Sequence, residues 1–391
     1  MKTRSTVMAL MLGCPLAAAA QSSVTLYGVA DVNVEYVNRV GAVPVAANGF
    51  NPGPGDKVLR MASGGLSGSR WGLRGAEDLG AGWQASFVLE SGFSLDNGTL
   101  QQGGRLFGRQ AYVALQRAGI GQLSLGRQYT SIFEALANFS PTAYATQYEP
   151  VVLQAGANFR EDNTVKYTGQ FGPLTARAHW SFGAGLALPQ TVGIATPIGG
   201  NGEVPGQFRR DTAYGASLAY STGPFGATLG YDQWNPTIGT SNGTVRKAVV
   251  AASYTFGPAK IMGGYRWGQN KNAADVVIQR DDYYWIGANY QVTPALGADA
   301  GVQLRQRQEP VRQYAGGQPV AGCLCCQLCV FAAHGCVPVD GLCPQCRADA
   351  GVAGDDLCQQ PVAGQQLCRG QRAAQHGWRG FGDAAQVLIR S

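Results

Sequence analysis

The residues with the most recognisable chemistry are cysteines, and they are concentrated towards the end of the chain. Nine of the ten cysteines lie in residues 323–368. Two CxxC pairs, at 326–329 and 343–346, are thirteen residues apart, and His334 lies between them. This spacing is compatible with a zinc ribbon, in which four side chains bind Zn²⁺ tetrahedrally.

The remaining residues give little indication of catalysis. His179 is the only histidine before residue 304, and its place in an alternating pattern favours a polar residue that lines a pore over a general base. A hydrolase built on a barrel would need a serine and a histidine in register on neighbouring strands. The region before residue 304 shows no phosphate-binding loop and no run of metal ligands. We therefore expect no enzyme activity, no cofactor and no metal.

The N-terminus has the organisation of a secretory signal peptide. Lys2 and Arg4 precede an apolar run at 7–18, and small residues end at Ala20. Residues 1–20 are therefore expected to be removed on export. The net charge of +6 falls to about +4 without the two leader cations, a surplus too small to indicate a nucleic-acid partner.

Apolar and polar residues alternate along the sequence after the leader. In VTLYGVADVNVEY (24–36) the apolar residues share one parity, and the pattern returns at 83–90 and 175–182. Period two indicates β-strands with one apolar and one polar face. Thirteen such strands are predicted, at about 24–36, 66–75, 83–90, 105–116, 122–129, 160–169, 175–182, 208–220, 225–234, 244–256, 259–268, 281–292 and 295–303.

The connections between these strands alternate in length. Turns such as 117–121 and 257–259 are tight, whereas loops such as 130–159 are long and rich in Gly, Asn and Pro. This arrangement is typical of an outer-membrane barrel, whose strands need about 9–11 residues to cross. A soluble β-sandwich is the alternative, but it would not need aromatic residues near strand ends. Such residues are Tyr36, Trp83, Trp180, Tyr220, Trp234, Tyr254, Trp267 and Tyr290.

Several motifs, in this order, closely resemble the general porins of Gram-negative β-proteobacteria. They are SSVTLYGVADV (22–32), SGGLSGSRWGLRGAEDLGAG (63–82), FGRQAYVAL (107–115), LGRQYT (125–130) and GGYRWG (263–268). The resemblance implies an all-β protein, a transmembrane antiparallel β-barrel of sixteen strands. It also implies a homotrimer in the cell outer membrane, in contact with lipid and lipopolysaccharide, through which ions and small hydrophilic solutes diffuse passively.

The resemblance further implies that the loop after the fifth strand, Tyr129 to Phe159 here, folds into the lumen and narrows it. In such porins, arginines on the barrel wall face carboxylates on this loop. The matching positions for the wall are Arg70, Arg74, Arg109 and Arg127, and the carboxylates that the loop offers are Glu134 and Glu149. Four arginines against two glutamates imply a weak preference for anions.

Strand parity independently places two of these arginines. Arg70 and Arg74 lie on the face opposite Trp71 and Leu73, so they are predicted to point into the lumen. Arg127 shares the parity of apolar residues, and we therefore expect a bulge at the preceding glycine, Gly126. The alternative is that the arginines only pair with acidic neighbours in a polar lumen.

Two other functions remain open at this point. A substrate-specific channel would line its constriction with aromatic residues for sugars. The product could also be a truncated porin without function, because the predicted strands stop near Leu304, three short of sixteen.

The genetic code gives a second interpretation of the cysteine-rich segment. Codons for residues 326–337 can be chosen so that reading one base later gives ANYAFSRRTDV, an alternating strand, a charged turn and the start of another strand. The same shift over 375–388 gives NMAGVALGMRHKF and then a stop codon, which matches the terminal Phe of porins. We therefore expect a signal peptide at 1–20, an incomplete porin barrel at 21–303, and an irregular, out-of-frame tail at 304–391.

Overall fold

The computed structural model describes residues 23–40, 55–147, 149–186, 200–238, 240–293, 296–308, 324–332 and 335–338. The predicted signal peptide, His334 and the second CxxC pair lie outside these residues.

The described chain is mainly β-strand. Its strands are β1 (Ser23–Val29), β2 (Val32–Val40), β3 (Asp56–Ser63), β4 (Arg70–Gly80), β5 (Trp83–Gly92), β6 (Gln110–Arg117), β7 (Gly121–Tyr129), β8 (Arg160–Phe171), β9 (Leu174–Ser181), β10 (Ala213–Thr222), β11 (Phe225–Trp234), β12 (Thr237–Ile238), β13 (Ser241–Asn242), β14 (Thr244–Phe256), β15 (Ala259–Lys271), β16 (Val277–Thr293), β17 (Leu296–Gln308), β18 (Leu324–Ala332) and β19 (Gly335–Pro338). Two short α-helices, α1 (Ser131–Leu136) and α2 (Val151–Ala155), and a 3₁₀ turn (Ala137–Phe139) lie between β7 and β8.

One antiparallel sheet contains fifteen of these strands, in the order β1, β4 to β11, and β14 to β19. The thirteen strands that end with β17 correspond to the thirteen predicted from alternation. The sheet is not closed: β1 pairs with β4 and β19 with β18, and no pairing between β1 and β19 is present in the described residues. Two hairpins, β2–β3 and β12–β13, form separate small sheets.

The two faces of the sheet have the polarity expected of a barrel in lipid. In β7, Leu123 and Leu125 are almost half exposed, whereas Ser124 between them is 2% exposed. In β11, Leu229 faces outwards and Thr228 is buried. A polar inner face and an apolar outer face are the reverse of a soluble sandwich and are typical of an outer-membrane barrel. Within the described residues, no helix has the length and apolar character that a membrane crossing requires.

The alternation of short and long connections is confirmed. Only two or three residues join β4 to β5, β6 to β7, β8 to β9, β10 to β11, β14 to β15 and β16 to β17. Since neighbouring strands are antiparallel, all these turns lie at one end of the sheet. The long connections therefore lie at the other end.

The predicted first strand, 24–36, is in fact two strands. The carboxylate of Asp31 accepts backbone N–H groups of Gly65, Leu66 and Ser67 at 2.8–3.0 Å. These hydrogen bonds satisfy backbone N–H donors of the loop that precedes β4. At Asp31 the chain also changes the strand with which it pairs. β1 pairs with β4, whereas β2 leaves the sheet and pairs with β3.

The aromatic residues predicted near strand ends differ in their exposure. Tyr220, Tyr254 and Tyr290 are exposed near the tight turns, as expected for a girdle. Trp234 is only 2% exposed, and its indole N–H donates to the carboxylate of Asp211 at 2.9 Å. Trp234 therefore lies at the end of β11, as predicted, but its ring is buried and held by this hydrogen bond.

The expectation of an irregular tail after residue 304 is wrong for part of that region. β17 continues to Gln308, and β18 and β19 add a further hairpin at 324–338. The physical reason is that an edge strand offers unpaired backbone N–H and C=O groups, and pairing requires only another extended backbone. Residues 339–391 lie outside the described chain.

Candidate functional site

The loop between β7 and β8 lies against the inner face of the sheet at widely separated strands. At its start, the carbonyl of Ser131 accepts from the hydroxyl of Ser217 in β10 at 3.0 Å. The indole N–H of Trp285 in β16 donates to the carbonyl of Phe139 at 2.8 Å. Further on, the backbone N–H of Gln147 donates to the carbonyl of Gly65, next to β3. The loop is therefore held by β10, by β16 and by the segment before β4.

Apolar packing fixes the loop in this position. Ile132, Leu136 and Phe139 are at most 4% exposed and pack with Val249, Ala251, Tyr283 and Trp285 on β14 and β16. These wall residues are apolar on a face that is otherwise polar. Removing them from water against the loop stabilises its folded position by about 1.5–3 kcal/mol for each large side chain.

Basic side chains are concentrated on the wall beside the first half of this loop. We call this set the basic wall: Arg70, Arg105, Arg109, Arg127, Arg160, Lys166 and Arg177. Three carboxylates, Glu90, Asp162 and Glu134, contact these groups. Seven cations against three anions leave a positive excess.

Two of the predicted arginines share one carboxylate on the wall. Nε of Arg109 lies 2.7 Å and Nε of Arg70 lies 3.6 Å from the carboxylate of Glu90 in β5. Glu90 is 4% exposed and also accepts from the hydroxyl of Tyr27 at 3.0 Å. Arg109 reaches further, to the hydroxyl of Tyr129, which Arg160 also contacts. The partner of these arginines is therefore on the wall and not on the loop.

Arg127 occupies the lumen through the irregularity expected from the sequence. The register between β7 and β8 shifts between Gly126 and Gln128, and Gly126 has φ +130°. A Cβ at Gly126 would meet the backbone oxygen of Ala111, so only glycine fits. The bulge brings a guanidinium N of Arg127 to 2.6 Å from the carboxylate of Asp162, which Arg105 also binds.

Arg74 stands apart from the basic wall. It lies four residues beyond Arg70, about 13 Å along β4 towards a tight turn. Its guanidinium is exposed and lies 5.4 Å from the ring centre of Tyr27. Among the described residues no carboxylate within ion-pair distance of Arg74 is present.

Glu134 faces the basic wall from α1, but beside residues other than the predicted arginines. Its carboxylate lies 2.6 Å from Nζ of Lys166 and 3.1 Å from Nε of Arg177. These partners are on β8 and β9, and none of the four predicted arginines contacts it among the described ion pairs.

Glu149 has a different environment from the predicted one. It is 4% exposed, and its oxygens accept from the hydroxyls of Ser140 and Thr142, the backbone N–H of Tyr144 and the amide of Gln154. All of these groups belong to the loop itself. Burial and the Glu149 carboxylate raise the pKa of the Tyr144 phenol, which donates to the carbonyl of Phe133. The structure therefore does not bring Glu149 to the arginines.

Several residues of the site were not predicted. Strand parity could have found Arg177 and Glu90, which lie on the polar faces of alternating strands, and Lys166 alternates in the same way in β8. Asp162 carries no such signal, because Asn163 beside it has φ +49° and interrupts the alternation. The sequence shows these charges, but which of them meet depends on strand register.

Comparison with known proteins decides the family. Residues 5–317 match the Gram-negative porin family. The chain belongs to the Gram-negative porin family. This family consists of channel proteins of the outer membrane, and the porin is accordingly an outer-membrane channel protein and not an enzyme.

Individual relatives agree with this assignment. The porin is 33% identical over 307 residues to an outer membrane porin protein of Bordetella pertussis, covering 74% of this chain and 77% of the relative. It is 32% identical over 270 residues to outer membrane porin protein 32 of Delftia acidovorans, covering 66% and 68%. Among solved structures, an anion-selective porin from Comamonas acidovorans aligns with a TM-score of 0.60 and 25% identity, covering 79% of this chain and 83% of that one.

Proposed function

We propose that the porin is a general diffusion channel for small hydrophilic solutes and ions, with a constriction between the basic wall and the loop that favours anions. The observation that carries this proposal is the excess of the seven cations of the basic wall over the three carboxylates that contact them. In a narrow lumen such charges are poorly screened and raise the local anion concentration. The name of the Comamonas acidovorans neighbour, an anion-selective porin, agrees with this preference.

The structure also permits the simpler interpretation in which the arginines only neutralise buried carboxylates. Buried Glu90 and half-buried Asp162 each contact two arginines, and a carboxylate with little exposure to water needs such partners. Pairing accounts for only part of the wall, however, since two guanidiniums around one carboxylate still leave a net positive charge. The excess charge supports the selectivity proposal.

A planar-bilayer measurement of reversal potential tests the proposal. Like the other channel measurements, it is made on the barrel whose tail is read in the shifted frame, because the described sheet is not closed. Replacing Arg70, Arg109 and Arg127 together with Gln should lower the anion-to-cation permeability ratio by about twofold or more and change the conductance. The matched control replaces Arg117, Arg209 and Arg280, which are exposed and outside the basic wall. It removes the same charge and should leave selectivity nearly unchanged. Equal behaviour of the two triple variants would show that the basic wall does not set ion preference.

A substrate-specific channel is the second candidate, and one feature bears on it. Tyr129, Phe133, Tyr144 and Phe159 form a stack beside Arg160, with ring centres 4.3–5.2 Å apart. The rings cover one another's faces, so they serve the packing of the loop better than the binding of sugar rings. Swelling of liposomes in neutral sugars of graded size separates the two functions, because a general channel discriminates by size alone.

We also propose that the cysteine-rich tail is out of frame. Arg305 in β17 still binds Asp281 at 2.9 Å, and the family match continues to residue 317. This supports a break between about residue 317 and Cys326, where the shifted reading begins to give an alternating strand. Closely spaced free thiols are also poorly maintained outside the cytosol. The homotrimer that the family resemblance implies would then require the corrected C-terminal strands.

A further inference from the structure

Three side chains that are distant in sequence meet beneath the start of the loop. Glu161 of β8, His179 of β9 and Asp232 of β11 each offer one ligand atom, and these atoms lie within 4.8 Å of one another. All three residues are buried, at 0%, 6% and 0% exposure. The sequence predicted no metal-ligand cluster among the strands, because the separations of eighteen and fifty-three residues show no recognisable motif.

The atoms that point at one another make no hydrogen bond of ordinary geometry, although the imidazole nitrogen lies within ion-pair distance of both carboxylate oxygens. Oε2 of Glu161, Nε2 of His179 and Oδ2 of Asp232 are all buried without such a hydrogen bond in the described chain. An unsatisfied buried carboxylate oxygen costs free energy, and two of them face the same imidazole nitrogen here. Their shared direction indicates room for a group that contacts all three.

Two of the three distances between these atoms match those between metal ligands, and the third, between the carboxylate oxygens, is within 4.8 Å. Nε2 of His179 lies 3.3 Å from Oε2 of Glu161 and 3.5 Å from Oδ2 of Asp232, longer than most charge-assisted hydrogen bonds. Two ligands at about 2.0–2.1 Å from Zn²⁺ in tetrahedral geometry are about 3.3–3.4 Å apart. A mixed set of one imidazole and two carboxylates suits Zn²⁺, whereas Ca²⁺ and Mg²⁺ prefer oxygen ligands only.

The opposite atom of each side chain is held in place. Nδ1 of His179 lies 2.8 Å from the hydroxyl of Ser131 and accepts from its backbone N–H at 3.3 Å. The side-chain amide of Asn158 donates to Oε1 of Glu161 at 2.7 Å and to Oδ1 of Asp232 at 2.9 Å. Partners of this kind orient ligands around metals in proteins. With these partners in place, Oε2 of Glu161, Nε2 of His179 and Oδ2 of Asp232 face one another.

The strand between His179 and Asp232 is shaped to let them meet. Gly215 of β10 pairs with His179 on one side and Asp232 on the other. A Cβ there would lie 2.7 Å from the ring of His179 and 3.1 Å from Oδ2 of Asp232. Lys247 binds Oδ1 of Asp232 at 2.8 Å, so with a neutral imidazole the two carboxylates and one lysine leave a single negative charge. That charge favours a cation.

We propose that Glu161, His179 and Asp232 form a zinc site that fastens the loop to the barrel wall. The site joins three strands, and its histidine contacts Ser131 at the first residue of α1. Zn²⁺ at Nε2 requires the proton of a neutral His179 at Nδ1. Its binding would therefore replace the hydrogen bond from the Ser131 backbone N–H with one from Nδ1–H to the Ser131 hydroxyl. Without the metal, a protonated imidazole lying between the two carboxylates is the competing arrangement.

The test uses the full chain, refolded in detergent and treated with N-ethylmaleimide so that the tail cysteines cannot bind metal. After removal of metal with a chelator, Zn²⁺ is added and its stoichiometry and affinity are measured by calorimetry. X-ray absorption then identifies the ligands, since Zn–N and Zn–O distances are about 2.0–2.1 Å and Zn–S distances about 2.3 Å. We expect one Zn²⁺ per chain, bound by nitrogen and oxygen alone.

Variants separate this site from other zinc-binding groups. His179→Gln and Asp232→Asn should abolish binding, and Asn158→Ala should weaken it by about 10–100-fold. Asp282→Asn is the matched control, since Asp282 is a carboxylate on β16 that bonds Tyr265 and not this cluster. Absence of Zn²⁺ from the alkylated wild-type chain would overturn the proposal even if a variant failed to fold. Zinc retained equally by His179→Gln and Asp232→Asn would also overturn it.

Discussion

At the scale of single residues, the two glutamates of the loop show how one residue type takes two roles. Glu134 lies on α1 and contacts Lys166 and Arg177, so its charge is part of the field beside the basic wall. Glu149 is surrounded by donors from its own loop. The same charge therefore contributes to ion preference in one place and to loop structure in the other.

This difference gives a prediction for two matched variants. Glu134→Gln removes an anion beside the wall. The reversal potential in a planar bilayer should therefore shift in the direction of a higher anion-to-cation permeability ratio. Glu149→Gln should leave the reversal potential nearly unchanged. It should lower the stability of the folded loop by about 1–3 kcal/mol, because the buried hydrogen bonds lose their charged acceptor. Thermolysin cleavage within the loop, which contains apolar residues but no Lys or Arg, measures that loss. A selectivity shift for Glu149→Gln equal to that for Glu134→Gln would contradict these roles.

At the scale of elements, the loop is a packed structure and not a flexible connection. α1 and the 3₁₀ turn place Ile132, Leu136 and Phe139 on the inner faces of β14 and β16. The wall residues that receive them are apolar exceptions on a polar face. The apolar residues of the loop therefore lie against the apolar residues of the wall, since exposing either set to water would cost free energy.

Leu136 is the residue whose truncation should show this packing most clearly. It is 1% exposed, and Leu136→Ala should destabilise the loop by about 2–5 kcal/mol. We expect larger fluctuations of single-channel current and faster proteolysis of the loop. Val152→Ala in α2 is the control, because Val152 is 38% exposed and its truncation should change neither measurement. Identical current noise in both variants would mean that this packing does not hold the loop.

At the scale of the whole molecule, the sheet formed by the described residues is not closed. Its described strands run from β1 to β19 in one antiparallel order, and the two outer strands do not pair. Unpaired backbone groups are costly in lipid, where water cannot satisfy them. A barrel of this family needs the missing strands to close.

The out-of-frame proposal predicts how closure can be restored. Deleting one base between codons 317 and 326 should give a product that migrates as a heat-modifiable trimer in gels and forms stable channels. The product of the unmodified sequence should do neither. Sequencing of the gene provides a direct check, and a shifted frame without alternating strands would refute the proposal.

The sequence by itself determined the local properties of this porin. Period-two alternation gave the number and approximate places of thirteen strands, since each strand must show lipid one face and the lumen the other. Parity also predicts lumenal directions for Arg70 and Arg74, and the conflict between the parity of Arg127 and its lumenal place in the family motif predicted the bulge at Gly126. These are properties of neighbouring residues, and neighbouring residues are visible in a sequence.

Only the tertiary structure decided which side chains meet. Glu90 joins Arg70 and Arg109 because β5 lies between β4 and β6, and His179 reaches Asp232 because Gly215 leaves space between them. It also decided that Glu149 turns into its own loop, and that β17 pairs with β18 in a segment expected to be irregular. Each of these outcomes depends on register and packing between distant segments, and a one-residue slip would exchange the faces of an entire strand.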